Sequence, residues 1–300
     1  MAVRQQRHVG AVIVHHEAPG DLERCLHALG QGSRVPDHVV VVDNSETTAA
    51  TTAAAALAER VGAVLVDPGG NVGFAAGCNL GVAALDGRAS DYFFVNQDAE
   101  VEPEALATLM DSLDADPGLA AVSPLIVTPD RRIWFAGGGF VPALARLTLP
   151  GFGEPSDGAS DSNDPRIGRA TEWLNGCALL IRSEAWSEVG GFDERYFLYW
   201  EDVDLSRRLV DAGWSLALEP GATVVHHRSR DGDGLRNLSR RAIEHSVASR
   251  LRFVRHRLGP RHRLTAGAYT LINALRLFQL AARHRGRPLG RHLRACLLYT

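Results

Sequence analysis

The sequence predicts an α/β fold: a mostly parallel central sheet covered by helices on both faces. Two observations carry that expectation. Along roughly the first 125 residues, short apolar runs alternate with longer segments of helical spacing. The runs are continuously apolar, as strands buried on both faces are, instead of alternating as half-exposed strands do. Strand–helix alternation of that kind builds a layered sheet.

Residues 9–14 read as the first buried strand, with the turn signal Pro19-Gly20 soon after. Residues 21–29 have helical spacing, with Leu22, Leu26 and Leu29 on one face. Residues 39–42 are all Val and end at Asp43-Asn44-Ser45; the Ala-rich stretch 47–60 is helical, and 63–66 is a third strand. A helix over 74–85 leads to a strand at 92–95 that ends at Asn96-Gln97-Asp98. A helix over 103–113 follows, with Pro103 in its first turn, and 120–122 opens the next strand. Sheets of this class bind ligands beyond the carboxyl ends of their strands. His15, Asp43, Asn44, Asn96 and Asp98 are therefore candidates on position alone.

The middle of the chain differs. Residues 151–168 are dense in Gly, Pro, Ser, Asp and Asn and read as a mobile loop suited to be a lid. Structure resumes at 172–181; residues 201–211 are helical, 214–218 and 223–225 are two strands, and the chain beyond Asn237 is helical and rich in Arg.

Composition narrows the class. The 300 residues suit a large single domain or one catalytic domain with an appendage, and 45% apolar content with a net charge of −3 excludes a disordered chain. Every one of the 32 basic residues is Arg, which excludes a Lys Schiff base or a P-loop Lys. Cys25, Cys78, Cys177 and Cys296 form no CxxC pair, which argues against zinc and against a disulfide framework and fits a reducing compartment. The first fourteen residues have no signal-peptide core, and no run reaches the roughly 18–20 apolar residues of a membrane span. The expectation is a cytoplasmic protein. From Arg228 onward seventeen Arg face only Asp231, Asp233 and Glu244, so the C-terminal segment is strongly basic and the remainder acidic.

The residues able to carry chemistry each admit a plainer role. Asp43 at a strand end suits a turn, or a carboxylate accepting hydrogen bonds from a nucleobase or ribose. The glycines of residues 71–81 allow close approach of a ligand or of packed helices; they fit neither GxGxxG nor a P-loop. Asp98 suits a metal that holds a diphosphate, whereas Glu100 and Glu102 read as caps of the following helix. Glu201, Asp202 and Asp204 open a helix beside Tyr196, Phe197, Tyr199 and Trp200. An acid there can serve as a base, and a ring there as a face for a sugar. Glu201 and Asp202 point about 100° apart on that helix and cannot share one task. His226 and His227 point to opposite sides of an extended chain, so one of them at most enters a given site.

Seven segments in one order resemble glycosyltransferase family 2, in particular its bacterial rhamnosyltransferase-like members with the Rossmann-like GT-A fold. They are Val12-Ile-Val14, Val42-Asp-Asn-Ser45, residues 71–79, Asn96-Gln-Asp98, Gly190-Gly-Phe-Asp-Glu194, Trp200-Glu-Asp-Val-Asp-Leu205 and Val225-His226, spanning roughly residues 8–230. The resemblance implies a catalytic domain over 1–230, with a nucleotide-sugar half to about 125 and an acceptor half from about 126, then a basic helical segment over 231–300. It implies an inverting transfer of rhamnose or a related hexose from a dTDP- or UDP-sugar to a glycan or lipid-linked acceptor. Val14, His15, Asp43, Asn44, Gly73, Phe74, Asn79 and Asn96 would line the donor. Asp98 and His226 would hold Mg²⁺ or Mn²⁺, with Asn96 standing where the family's Asp-x-Asp motif has its first Asp. Asp202 would be the catalytic base, with Glu201 or Asp204 in support.

Other classes fit less well. A sugar nucleotidyltransferase would carry a Gly-rich basic loop after the first strand, and His15-His16-Glu17-Ala18-Pro19-Gly20 is not one. A non-catalytic nucleotide-sugar-binding protein would not need the acidic cluster. The Arg-rich segment carries no nucleic-acid motif, so nucleic acid is not expected. It reads as a solvated helical face, or as a helix resting on an anionic membrane on the inner face of the cell membrane. The sequence leaves the oligomeric state open.

Overall fold

A computed structural model of the protein describes residues 7–159, 164, 171–227 and 240–283, of which 240–243 and 276–283 are described by backbone alone. In chain order its elements are β1 (Val9–His15), α1 (Pro19–Gly30), β2 (His38–Asp43), α2 (Thr48–Val61), β3 (Val64–Val66), α3 (Phe74–Leu85), β4 (Asp91–Val95), β5 (Ala99–Val101), α4 (Ala105–Ala115), β6 (Leu119–Val127) and β7 (Ile133–Phe135). They continue with β8 (Gly139–Val141), β9 (Arg146–Thr148), β10 (Ala178–Arg182), α5 (Ser183–Val189), α6 (Glu201–Asp211), β11 (Ser215–His226), α7 (Arg240–Arg257) and α8 (Pro260–Arg283).

The central sheet runs β3-β2-β1-β4-β10-β6-β11-β5, with β7 added against β6. β1, β2, β3 and β4 are parallel; β10 is antiparallel to both β4 and β6, and β6 and β11 are parallel to each other. β5 is antiparallel to β11 and β7 to β6, so the sheet is mixed: β1–β4, β6 and β11 run one way, with β10 wedged antiparallel into its middle. Side chains alternate across it as strands require. Ala11, Ile13, Val41 and Phe93 pack with α1, α2 and α4 on one face; Val12, Val40, Val42 and Phe94 pack with α3, α5 and α6 on the other.

Close backbone approach explains the glycines of α3. A Cβ on Gly81 would sit 2.3 Å from Val12 Cγ1, and one on Gly77 3.1 Å from Val14, so α3 lies directly on β1. Helix packing, the plainer of the two readings, accounts for these two residues.

Several expectations change in detail. The helix expected over 103–113 begins at Ala105, because Glu102 and Pro103 form a turn closed by the Ala105 N–H donating to Glu102 O at 2.9 Å. Glu100 and Glu102 cap no helix. Glu100 lies in β5 with its carboxylate 3.0 Å from His227, and Glu102 pairs with Arg131 at 2.6 Å. The two strands expected at 214–218 and 223–225 are one strand, β11, irregular between Glu219 and Thr223 where Pro220-Gly221 interrupts the ladder. Within the expected lid, residues 151–159 are tied to β7: Gly153 N–H donates to Ile133 O, and Ile133 N–H donates to Glu154 O. Residues 160–163 and 165–168 of that lid lie outside the described residues, as do residues 228–239 and 284–300 of the basic segment and Cys296. Cys25, Cys78 and Cys177 are buried and unpaired with one another.

The basic segment is fastened to the rest. Asp204, fully buried on α6, accepts hydrogen bonds from Arg208 Nε (2.8 Å), from Arg257 Nε of α7 (2.6 Å) and from the Tyr196 hydroxyl (3.2 Å). Phe253 of α7 packs against Trp200 and Phe140. Removing the charge of Asp204 leaves Arg257 and Arg208 without their counter-ion. Asp204→Asn is therefore expected to cost about 3 kcal/mol of stability, read as a lower urea midpoint, and an unchanged midpoint would show that this pairing does not hold α7.

Candidate active site

The carboxyl ends of β1, β2 and β4 meet beside the start of α6. There β1 and β2 are in register with His15 opposite Asp43. The His15 ring Nδ1 lies 2.8 Å from Asp43 Oδ1, and both side chains are fully buried. Burial pushes the Asp43 carboxyl up, but hydrogen bonds from Ser45 and His15 outweigh it and hold the group below its usual value. Asn44 donates from its side-chain amide to Gly73 O at 3.0 Å. Gly73 in turn has a positive φ of 89°, and a Cβ there would meet Phe197 O at 2.5 Å, so no other residue fits. Phe74 N–H donates to Phe197 O at 2.9 Å. These contacts clamp the segment before α3 against the segment before α6.

A cavity of about 210 Å³ opens there, lined among others by Phe74, Asn96, Asp98, Trp134, Glu201, Asp202 and His226. That is below the ~300–1,000 Å³ of a typical ligand pocket, so it takes the reacting end of a ligand and not the whole of a large one. Val14, His15, Asp43, Asn44, Gly73 and Asn79 are not among its lining residues. Val14 packs on Gly77. Asn79 is wholly engaged elsewhere: its amide donates to Phe192 O and Glu194 Oε1, and its oxygen accepts from Phe192 N–H. It fixes the Gly191–Glu194 turn to α3.

The start of α6 is built under strain. Tyr199 and Trp200 have consecutive positive φ values of 68° and 70°, which cost side-chain-bearing residues about 1–3 kcal/mol each and recur at functional sites. The bend buries Trp200 and Tyr196 in the core and leaves Tyr199, alone of the four aromatics there, on the cavity wall. Phe197 stacks on His245 at 4.7 Å. The bend also turns Glu201 and Asp202 into the cavity. Asp202 Oδ2 accepts from Gly176 N–H at 3.1 Å and Oδ1 from Val203 N–H at 2.8 Å. Burial outweighs those bonds and pushes Asp202 up to about 6. Glu201, buried with Oε2 unpartnered, is pushed well above its ordinary value, first by burial and then by the charge of Asp202. Glu201 therefore holds the proton of the pair and Asp202 is the acid that ionises near neutrality. Asp204 points away, into its arginine pairs.

Across the cavity, His226 Nε2 lies 3.2 Å from Asp98 Oδ1. Strand alternation settles the histidine register: His226 faces the cavity, and His227 turns to Glu100. Burial lowers the His226 imidazole, but Cys177 and Asp98 outweigh it and raise it to about 10. Among the described residues no cluster of three or more His, Cys, Asp or Glu is placed to hold a metal ion. Asp98 and His226 are thus a two-ligand site at most, of hard oxygen and imidazole nitrogen. Such a pair suits Mg²⁺ or Mn²⁺ when a diphosphate completes the shell.

Trp134, Asn175, Gly176, Cys177 and Leu198 line the cavity without having been singled out by sequence. Trp134 sits edge-to-face with His226 at 5.5 Å and packs against Phe152 at 5.4 Å between ring centroids. The run Trp173-Leu-Asn-Gly-Cys177, a Gly flanked by polar residues ahead of an apolar strand, was the available signal.

The profile of Glycosyl transferase family 2 matches residues 11–155. Over 229 residues the chain is 32% identical to the N-acetylglucosaminyl-diphospho-decaprenol L-rhamnosyltransferase of Mycobacterium tuberculosis, covering 71% of this chain and 74% of that one. It is 26% identical over 222 residues to galactofuranosyltransferase GlfT1 of the same organism, covering 73% and 69%. The solved structure of the mannosyltransferase PcManGT from Pyrobaculum calidifontis, in complex with GDP-Man and Mn²⁺, superposes with a TM-score of 0.59. It does so over 95% of this chain and 77% of that chain at 18% identity, a likeness of fold.

The buried acid pair predicts a pH-dependent stability. Glu201 is raised above its ordinary 4.5, so its contribution is fully present below that value and is lost as pH rises through its folded value. Glu201→Gln should match the parent at pH 4 and exceed it increasingly toward pH 8 in urea midpoint. Parallel curves across that range would mean Glu201 is not a buried acid.

Proposed function

The chain belongs to glycosyltransferase family 2, and from that premise we propose that it transfers rhamnose or a related hexose from a dTDP- or UDP-sugar to a lipid-linked glycan acceptor with inversion. It is a glycosyltransferase on a GT-A fold; the donor, acceptor, metal and residue roles are our reading. That it is an enzyme sets aside the non-catalytic binding protein, and the family sets aside the nucleotidyltransferase.

One observation carries the mechanism: Asp202 is the ionisable acid of a buried pair at the mouth of a strained helix, in the same cavity as Asp98 and His226. With Glu201 protonated, Asp202 can take a proton near neutral pH. The acceptor hydroxyl attacks the anomeric carbon from the face opposite the leaving diphosphate. The new C–O bond forms as the old one breaks, the bonding pair departs with the nucleoside diphosphate, and the hydroxyl proton passes to Asp202. Held by Asp98 and His226, Mg²⁺ or Mn²⁺ would supply charge neutralisation for the leaving diphosphate. Asn96, Phe74, Tyr199 and Trp134 line the reacting end. Asp43, His15 and Asn44 are buried at the ends of β1 and β2 and are not among the lining residues of this cavity; we assign them to shaping the nucleotide end through the Gly73 clamp. Residues 1–230 form the catalytic unit, divided near residue 125, and 231–300 the basic segment.

The acceptor class is drawn from the rhamnosyltransferase relative, whose own name specifies a diphospho-decaprenol-linked sugar. A lipid-linked acceptor places the reaction at the cytoplasmic face of the cell membrane, with the enzyme peripheral to it. Among the described residues no helix is long and apolar enough to cross a membrane.

Asp202→Asn is expected to lower kcat by about 10²–10⁴-fold while leaving the Kd for the nucleotide donor within twofold. In the parent, kcat/KM should rise with pH through about 6, as Asp202 loses its proton. A variant with near-parental turnover, or a profile flat across that range, would remove Asp202 from the role of base. Proton NMR of the product should show an anomeric configuration opposite to the donor's.

A further inference from the structure

Helix α8 is packed the wrong way round for a helix facing water. Its inward positions are small: Ala266, Thr270 and Ala274 are buried, and Thr265 at its start hands a hydrogen bond to Ala143 O at 2.6 Å. Its outward positions are apolar. Leu264 is 81% exposed, Leu271 54%, Ile272 50% and Leu275 63%, with Ala268 exposed between them. Spacings of three, four and seven residues place these side chains in one stripe along the helix. A soluble helix buries its leucines and exposes its polar residues; scattered exposed leucines are ordinary, but a continuous stripe is an interaction surface.

The charge around the stripe names the partner. Arg261, His262 and Arg263 are exposed at its N-terminal end. From His245 to Thr300 the chain carries twelve Arg and no Asp or Glu. A second copy of this chain laid on the stripe would bring Arg against Arg with no acid in the segment to neutralise it. A phospholipid surface with anionic headgroups answers both features, because the acyl boundary takes the leucines and the headgroups take the guanidinium groups. The helix is not long and apolar enough to cross a bilayer, so it lies in the plane of the surface.

We propose that the Leu264–Leu271–Ile272–Leu275 face of α8 is the surface by which this enzyme lies on an anionic phospholipid membrane. This rests on the lipid-linked acceptor only for its purpose. The packing of α8 on α7, and the Arg257–Asp204 pairing of α7 with α6, connect that face rigidly to the helix that carries Asp202.

The test is cosedimentation of the full chain with vesicles of phosphatidylcholine alone, or of equal parts phosphatidylcholine and phosphatidylglycerol, at low and high salt. Preferential binding to the anionic vesicles, weakened by salt, is expected. The double variant Leu271→Glu/Leu275→Glu should bind them at least about tenfold more weakly, and Leu264→Glu alone measurably so, with circular dichroism and nucleotide binding unchanged. Indifference of the parent to both vesicles, or equal binding by the double variant, would overturn the proposal. A parent that is dimeric by light scattering, with a monomeric double variant that still binds vesicles, would give the face to a second copy. A double variant that melts earlier yet binds vesicles as before would give it to the chain's own residues 284–300. Vesicle binding needs no donor, so this experiment fails or succeeds independently of the transfer chemistry.

Discussion

Three carboxylic acids enter the first turn of one buried helix, and each has to be accommodated differently. Asp204 does so through Arg208 and Arg257, and in doing so fastens α7 onto the catalytic domain. Asp202 does so through the backbone N–H groups of Gly176 and Val203, which brings the segment ahead of β10 to the cavity wall. Glu201 finds no partner for Oε2 and keeps its proton. The acidic first turn is favourable to the helix dipole, but it is the division of labour among the three acids that organises the site. One is structural, one is neutral, and one is left able to exchange a proton near neutrality.

The opposite wall depends on strand geometry. β11 and β5 pair so that His226 lies opposite Ala99, one residue beyond Asp98. Alternation along β11 then decides which of the two adjacent histidines faces the cavity. The same sheet places His15 against Asp43 on the β1–β2 ladder, with β1 four strands from β11. The wedge formed by antiparallel β10, between β4 and β6, delivers Asn175–Cys177 to the space between these two groups of side chains.

Much of this could be read in the sequence, and what could not has physical reasons. The β–α alternation up to β6 was legible because continuous apolar runs have few alternatives, and α3 and α6 were placed to the residue. The strands β5, β7, β8 and β9 are three residues each, too short to show any period. The antiparallel insertion of β10 depends on long-range pairing that no local pattern records. In the site, Glu201, Asp202, Asp98, Asn96, Phe74 and His226 are brought to one cavity from four segments of chain. The family resemblance puts Asn79 along the donor; that its amide bonds to Phe192 and Glu194, more than a hundred residues away, is a long-range pairing no local pattern records. Trp134 was missed because nothing local marks a tryptophan in a three-residue strand.

The claim most exposed to a single measurement is that this cavity accepts a nucleoside diphosphate with a divalent cation. Calorimetric titration of the folded chain with dTDP, UDP and GDP, each with and without Mn²⁺, addresses it directly. dTDP or UDP is expected to bind, GDP much more weakly, and binding should weaken at least about tenfold when Mn²⁺ is withheld, since two protein ligands alone leave most of the cation's shell to the diphosphate. No binding of any nucleotide, or binding indifferent to the metal, would contradict the assignment of Asp98 and His226 and the transfer mechanism built on it.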